Sequence, residues 1–592
     1  MSSPVEVGQS NSSIEKKDIG HEESNIGDTS DSEEIRKVIE INGFVEKFNP
    51  ELGNGTKRGL TYRQVMLMVI GSCIGSSLFI SLSVPLVRYG SLALFIAFVF
   101  WAFVVIWPLM QAACEMASWL PIKGSFFHFV ARFIDPALAF PVGVMYCYST
   151  AIYVCVELVG FASLINYWPS TNVPIWSFIL LGLGLNTIVN MMAVNWFGEI
   201  EFFASMFKIL LIIGLMIFSF LSMCGANPKK DAYGFEHWSQ GGLWKTVYKT
   251  GDTGRFLAFW NVFVYSAFSS GGPEAILIFA GEIRRPRRSV PLAGKTAFFR
   301  IYLFYIGGIF FMNTLCASNN PSLLQAMGEG KVGAGASPWV IGIKTVGVSG
   351  FSSLINAIIM TSLWSCGNAA TYCSTRGIYA MSLAGYFPRF FSKCLKNGCP
   401  LFALLLADCF ALLSFLATSN DSLTVYTWFI SICSSSVLLV HSAIFLAHIR
   451  FRAAMKVQGL TNPYYETPFN VQPYTSYVGM FMCLLCSVFN GYWIFIDGEF
   501  LVSSLFTYYF SPVFFGLTYL FWKIWKKTSI IPLAEVDLLT GKKAIDREEQ
   551  MEIDADEAAA AENKDSKGVF IGKKILKAIA VFLYSSKKGD LK

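Results

Sequence analysis

MVIGSCIGSSLF, residues 68–79, lies in a hydrophobic run long enough to cross a bilayer, yet Gly71, Ser72, Cys73, Gly75, Ser76 and Ser77 crowd its middle. A plain membrane helix gains little from them. Glycine weakens a helix by about 1 kcal/mol relative to alanine, and serine offers the backbone competing hydrogen bonds. Two readings account for the cluster. Gly71 and Gly75 form G-x-x-x-G, which lets membrane helices approach closely. Alternatively the helix is broken here, and unwound backbone turns its N–H groups toward a polar cavity, a device of secondary transporters.

The second reading predicts another break about five spans later. FSSGGPEAIL, residues 268–277, meets that expectation, with Ser269, Ser270, Gly271, Gly272 and Pro273 ahead of a membrane-embedded Glu274. The proline removes a helix hydrogen bond. Two interruptions in corresponding places favour broken helices over packing alone.

Composition agrees with a bilayer: 54% of the 592 residues are hydrophobic, 16% aromatic and only 15% charged. About twelve apolar runs are long enough to span it: 64–87, 91–113, 139–166, 174–194, 203–225, 256–280, 297–317, 350–384, 401–418, 424–447, 474–497 and 500–522. After the sixth run come Arg284, Arg285, Arg287, Arg288, Lys295 and Arg300, which places that loop in the cytosol. Arg389, Lys393 and Lys396, then Arg450, Arg452 and Lys456, then Lys523, Lys526 and Lys527 fall on the same side. The loop at 226–255, with Lys229, Lys230, Lys245, Lys249 and Arg255, runs against the rule. An even number of spans leaves both termini cytoplasmic.

Residues 1–60 are rich in Ser, Glu, Asp, Asn and Gly and read as a disordered tail. They lack a cleavable signal pattern, so the first run serves as an uncleaved insertion signal. A transporter domain over 61–527 follows, then a tail over 528–592 that is acidic through DREEQMEIDADEAAAAE. In GVFIGKKILKAIAVFLYSSKK, Lys573, Lys574 and Lys577 interleave with Ile571, Ile575, Leu576, Ile579 and Phe582. Residues 568–586 fit an amphipathic helix on an anionic leaflet, or a marginal helix with no stable partner.

The fourteen cysteines are scattered through the apolar runs and read as small hydrophobes. His21, His128, His237, His441 and His448 form no metal-ligand spacing. No Walker loop, kinase signature or nucleophile elbow occurs. The expectation is therefore no enzyme and no cofactor.

IGSCIGSSLF, ACEMASWLPIKGSFFHFVARFIDPALAF, NWFGEIEFFASMFKI, FSSGGPEAILIFAGEIRRPRRSVPLA, GAGASPWVIGI and GNAATYCSTRGIYAMSLAGYFPRFFSKCLKNGCPLFA together resemble the fungal amino-acid permeases of the amino acid–polyamine–organocation superfamily. The resemblance runs in order from about residue 57 to 527. It implies an all-α membrane protein of about twelve helices: two inverted five-helix repeats, with helices 1 and 6 broken, plus two more. It also implies proton-coupled uptake of amino acids across the plasma membrane.

On this resemblance, backbone N–H groups of Gly71, Ser72, Cys73, Ile74, Gly75, Ser76 and Ser77 take the substrate carboxylate. Ser72 and Ser77 stand where glycine is common, which favours a small amino acid or a differently placed anion. Phe268, Gly272 and Glu274 match the sixth-helix pattern, with carbonyls around Ser270, Gly271 and Gly272 facing the substrate ammonium, while Pro273 departs from it. Lys208 matches a fifth-helix lysine that stands in for a sodium ion in proton-coupled members. The plain alternative is a lysine reaching for the interface.

Each ionisable residue inside the membrane costs about 2.5–3.5 kcal/mol by insertion scales, so each needs a partner or a task. Glu157 either relays protons, meets a cationic substrate or forms a structural ion pair. Glu115, at the start of the cytoplasmic SWLPIKG loop, reads as structural or gating. Arg376 reads as gating, paired with Glu199 or Glu282. Asn368 lines the pathway or ties two helices together, and Trp428 and Phe429 cover the site or pack in the core. Asp408 and Lys344 read as residues near a membrane boundary or pointing at another helix.

The function expected is alternating access, with amino acid and proton as partners and ubiquitination acting on tail lysines. A transporter-like nutrient sensor is the opposing class. A cationic amino acid, a polyamine or a carnitine-type amine are the alternative ligands, because Glu157 and Glu274 are both expected to face the cavity.

Overall fold

The computed structural model describes residues 60–554, apart from 122–124, 166, 169–172, 331–336, 419–421, 468, 470, 497–499, 544, 548 and 552. The N-terminal tail before residue 60 and the stretch 568–586 lie outside the described residues. Among the described residues all regular structure is helical, with one isolated parallel bridge between Leu60 and Ile283.

The opening run folds as α1 (Tyr62–Cys73), α2 (Ser76–Phe79) and α3 (Ser83–Tyr89), bent by 48° after α1. Gly90, at φ 94°, turns the chain into α4 (Ser91–Trp119). Within α4, Ala102–Ile106 winds as a π-helix just ahead of Pro108, whose missing N–H would leave a gap in a regular ladder. Next come α5 (Ser125–Phe133), α6 (Pro136–Ile165), α7 (Ile175–Met191) and α8 (Val194–Met223). The sixth run is interrupted, as α9 (Gly251–Ser269) and α10 (Ala275–Phe279). The chain continues as α11 (Pro286–Leu315), α12 (Pro321–Gly328), α13 (Pro338–Thr345), α14 (Ser349–Leu383) and α15 (Leu401–Ala411). It ends in α16 (Ser422–Val457), α17 (Tyr474–Phe489) and α18 (Val502–Lys526).

Every apolar run read from the sequence is carried by one of these helices or by an interrupted pair. By length and hydropathy alone, six helices of the described residues suffice to cross a membrane, and seven if the bent first pair is one span. The others miss for local reasons. α7 has only 17 residues, and Arg287, Arg288, Lys295 and Arg300 occupy the first half of α11, leaving Tyr302–Leu315 as its apolar part. The run at 401–418 is among the six, although it tightens into a 3-10 stretch, Leu412–Thr418, after α15.

α6 and α16 form the middle of the body, with 83% and 89% of their apolar windows buried, against 33% for α8. Phe203, Phe207, Leu210, Ile217 and Phe220 lie exposed on α8, an apolar perimeter that lipid tolerates and water does not. Cys483 and Cys486 stand as a C-x-x-C pair on α17, and both are free thiols buried in helix packing.

One end of the body is basic and closed by charge pairs. Lys523 and Thr528 both bond Asp135, and Arg450 donates to the Phe133 and Ile531 carbonyls. The chain beyond α18 stays on this face: Trp119 donates to the Leu538 carbonyl at 2.8 Å, Gln458 to that of Val536 at 2.8 Å and Arg132 to that of Thr540 at 3.0 Å. Arg287 pairs with Asp546 and Glu549. The first part of the segment expected to be a tail is therefore packed structure.

Candidate substrate cavity between two broken helices

Unwinding α1 at Ile74 and Gly75 frees its last carbonyls, which must find donors elsewhere. They find side chains of other helices. Lys208 of α8 donates to Gly71 O at 2.7 Å, and Cys366 of α14 donates to Ser72 O at 3.2 Å. The Tyr305 hydroxyl of α11 lies 2.5 Å from Cys73 O, and Ser362 of α14 donates to Ile74 O at 3.4 Å. Across the break, the Ser76 N–H meets Glu157 Oε2 of α6 at 3.0 Å, and the Ser76 hydroxyl meets Oε1 at 2.8 Å. The carboxylate of Glu157, 1% exposed, so caps the second half of the broken helix.

The second break lies against the first. Gly272 adopts φ +115°, and a Cβ there would sit 3.2 Å from Cys73 Sγ and 3.3 Å from Ser72 Oγ, so only glycine fits. Tyr305 joins the two breaks, since its hydroxyl also lies 2.6 Å from Ser269 O and 2.8 Å from Ser77 Oγ. The chain restarts through short-range bonds from Ala275 N to Gly272 O (2.9 Å) and Leu277 N to Glu274 O (2.9 Å). Glu274 Oε2 accepts from Gly272 N at 3.1 Å and from His441 Nε2 of α16 at 3.2 Å.

A cavity opens beside these breaks, walled by Ser72, Phe268, Gly271, Gly272 and Glu274 among the residues singled out in the sequence, and by Tyr146, Tyr153 and Cys373 among those that were not. Gly71, Cys73, Ile74, Gly75, Ser76, Ser77 and Ser270 shape the breaks without lining it. Ser270, for instance, turns its hydroxyl back to Ser266 O at 2.5 Å. The expectation that Glu157 faces the cavity is corrected: Ser76 holds it behind the α1 break, and Glu274 alone of the two is on the wall. Trp428 and Phe429 are likewise absent from the wall.

Behind the cavity runs a buried polar cluster. Lys208, 1% exposed, has its charge close enough to act on both Glu157 and Glu201. Glu201 accepts from Ser365 Oγ at 2.8 Å and Asn368 Nδ2 at 2.6 Å, and Asn190 donates to Asn368 Oδ1 at 2.8 Å. Asn368 is thus a tie between helices, the plainer of its two readings. Glu201 was missed although it sits in NWFGEIEFF, seven residues and two helical turns before Lys208 on the same face. His441 and His448 were set aside for want of ligand spacing, but an imidazole in an apolar run is itself a signal. Tyr305 carried none.

At the basic end, Arg376 donates to Glu282 Oε1 at 2.8 Å while Tyr372 bonds the other oxygen, so Glu282 rather than Glu199 is the partner. Glu199 accepts from Gln64 at 2.7 Å instead. Glu115 pairs with His448 at 2.9 Å and Arg452 at 3.4 Å. Asp408 accepts from Thr187 of α7 at 2.9 Å, and Lys344 is exposed in the last turn of α13.

Comparison with known proteins agrees with this architecture. The profile of the family described as amino acid permease matches residues 64–533. A proline-specific permease of Emericella nidulans is 37% identical over 83% of this chain and 90% of its own. A probable proline-specific permease of Schizosaccharomyces pombe is 34% identical over 81% and 87%. A dicarboxylic amino acid permease of Saccharomyces cerevisiae is 32% identical over 83% and 81%. With the family matched over most of the chain and these relatives covered over 81–90% of their length, the protein belongs to the amino acid permeases.

Proposed function

We propose that this permease carries a neutral amino acid together with a proton across the plasma membrane, by alternating access around the cavity between the two broken helices. The fold behind this reading is twelve spans. Two inverted five-helix repeats place α1–α2 and α9–α10 in corresponding positions, and α17 and α18 follow as the two further helices. The transporter domain covers 61–527, with the basic end and both tails, 1–60 and 528–592, in the cytosol. Lysines in those tails are within reach of the ubiquitination machinery.

The observation that carries the coupling is the hold of Glu157 on Ser76 through N–H and hydroxyl together. A substrate carboxylate approaching the second half of helix 1 needs the donors that Glu157 occupies. A proton on Glu157 cancels its charge and releases them, so proton and substrate enter as a pair. Lys208 supports the same logic at the other side of the break, because its ammonium holds the end of α1 through Gly71 O. When that contact parts, the grip on α1 weakens and one bundle is free to rock. The substrate ammonium lies against Glu274 and the carbonyls near Gly271, with Ser72 and Phe268 shaping the pocket. The Arg376–Glu282 and Glu115–His448 contacts part as the cytosolic gate opens. Of the three relatives described above, two are named as proline-specific permeases, which supports a neutral substrate.

The test is uptake by transport-deficient yeast expressing the protein, with labelled amino acids, polyamines and carnitine at outside pH about 5 and about 7.5. Neutral amino acids enter faster at the lower pH, and a proton uncoupler abolishes accumulation. No flux of any solute by protein present at the cell surface overturns the reading.

A further inference from the structure

Glu274 is the one charged side chain on the cavity wall among the described residues, and the titratable groups near it are Cys73 of α1, Tyr146 of α6, Cys373 of α14 and His441 of α16. A lone carboxylate in a dry pocket draws a ligand with surplus positive charge. Here it is not alone. The imidazole of His441 is wholly buried, its Nε2 lies 3.2 Å from Glu274 Oε2, and its Nδ1 has no partner. Gly272 N–H bonds that same Oε2 at 3.1 Å. Oε2 is thereby committed to the protein, and Oε1 is the oxygen left for a ligand ammonium.

We propose that His441, itself outside the cavity wall, sets the substrate class of this permease: by serving as counter-charge to Glu274 it leaves the cavity suited to one α-ammonium and closed to a second cation. The inference rests on the reading of this cavity as the substrate site and names its selectivity. A zwitterion presents one ammonium to Oε1 and adds no net charge. An arginine or polyamine brings a further cation for which the neutralised pair offers nothing. His441 is a positioning residue, acting on substrate only through Glu274.

The experiment compares labelled proline and labelled arginine uptake in the unmodified permease, His441→Gln, His441→Lys and the double variant His441→Gln/Glu274→Gln. His441→Gln keeps a polar donor near Oε2 but carries no charge. Its arginine-to-proline ratio of kcat/KM rises at least about tenfold, equivalent to about 1.4 kcal/mol of selectivity. The change comes from a lower KM for arginine. His441→Lys, which restores a cation, keeps the ratio of the unmodified protein, and the double variant returns toward it. A structural role predicts instead that uptake of both substrates falls in parallel. A constant ratio in His441→Gln, or an arginine-preferring His441→Lys, overturns the inference, as does an unmodified permease that prefers arginine. Should a variant stay inside the cell, competition binding on solubilised protein reads the same ratio. Loss of all flux in the unmodified permease would instead remove the transport reading itself.

Discussion

The buried charges of this permease are held in two different ways. At the basic end each carboxylate meets a cation: Glu282 meets Arg376, Asp135 meets Lys523, and Glu115 meets Arg452 and His448. Around the first helix break the direct hydrogen-bond donors to the carboxylates are neutral, whereas Glu274 at the second break meets His441. Ser76 holds Glu157, Ser365 and Asn368 hold Glu201, and the one lysine there donates to a backbone carbonyl. An ion pair fixes both protonation states and resists change, whereas a charge held by hydroxyls and amides can lose its ionisation without stranding a partner. The difference separates carboxylates fixed by a cation from carboxylates whose direct partners are neutral.

If that contrast is right, breaking a pair at the basic end costs the most. Arg376→Ala leaves Glu282 buried beside Tyr372 with no cation, a loss of about 3–5 kcal/mol for removing one partner of a buried pair. The purified variant should melt well below the unmodified protein. Arg376→Met combined with Glu282→Leu should recover most of the loss, since the desolvation cost disappears with the charges. A double variant as unstable as the single one would show that packing, not charge, decides this site.

Glu157→Gln sharpens the other side of the comparison. Glutamine keeps a carbonyl to accept from Ser76 but cannot cycle between charged and neutral. Uptake should become nearly equal at outside pH about 5 and about 7.5, and concentrative uptake should fall by about 10²-fold, the scale of removing a proton-transfer group. The protein should remain folded, because its partners there are neutral. Lys208→Met should lose accumulation in the same assay. Retained pH dependence in Glu157→Gln would move the proton to Glu201 or Lys208.

The broken helices were legible in the sequence because small residues and a proline inside a membrane run contradict the local preference for helix. Which groups satisfy the freed backbone was not legible, because they come from helices far along the chain. Glu157 is 81 residues from Ser76, and Tyr305 is 232 residues from Cys73. Glu157 was rightly marked as an ionisable residue in lipid, yet no local pattern could tell a cavity wall from a helix cap. The histidines of α16 show the opposite failure. They were visible, but were weighed as metal ligands when each instead meets one carboxylate, His448 with Ser476 Oγ on its other nitrogen.

Tyr305→Phe probes the seam between the two regions at smaller scale. The hydroxyl has one proton to share between Cys73 O and Ser269 O, and Cys73 O also accepts from Ser77 Oγ at 3.0 Å, so its removal unmakes one hydrogen bond, at a cost of about 1–3 kcal/mol. Because both acceptors lie at the breaks, the loss should raise KM by up to about tenfold and lower the melting temperature only slightly. An unchanged KM would mean that the breaks are positioned by Gly272 packing against Ser72 and Cys73 alone.

The smallest effect is expected where the C-terminal segment crosses the basic end, and the reason lies in exposure. Asp546 is 41% exposed, so water screens its pair with Arg287 far more than it screens Arg376 and Glu282. Asp546→Asn should cost less than about 1 kcal/mol in a melt, and less still at high salt. Arg287 keeps Glu549 at 3.3 Å and the ring of Tyr464 at 4.5 Å, so the contact loosens without being lost. Uptake rate is the more telling measure. The segment also bonds Trp119 of α4, Arg132 of α5, Arg450 of α16 and Gln458 just past its end, and these helices must separate or slide if this end opens. A strap across them slows opening in proportion to its hold. Asp546→Asn should therefore raise the rate modestly, by no more than a few-fold, with KM unchanged. A rate that falls instead would mean that the segment supports the open form, and the basic end would then be more than a clasp.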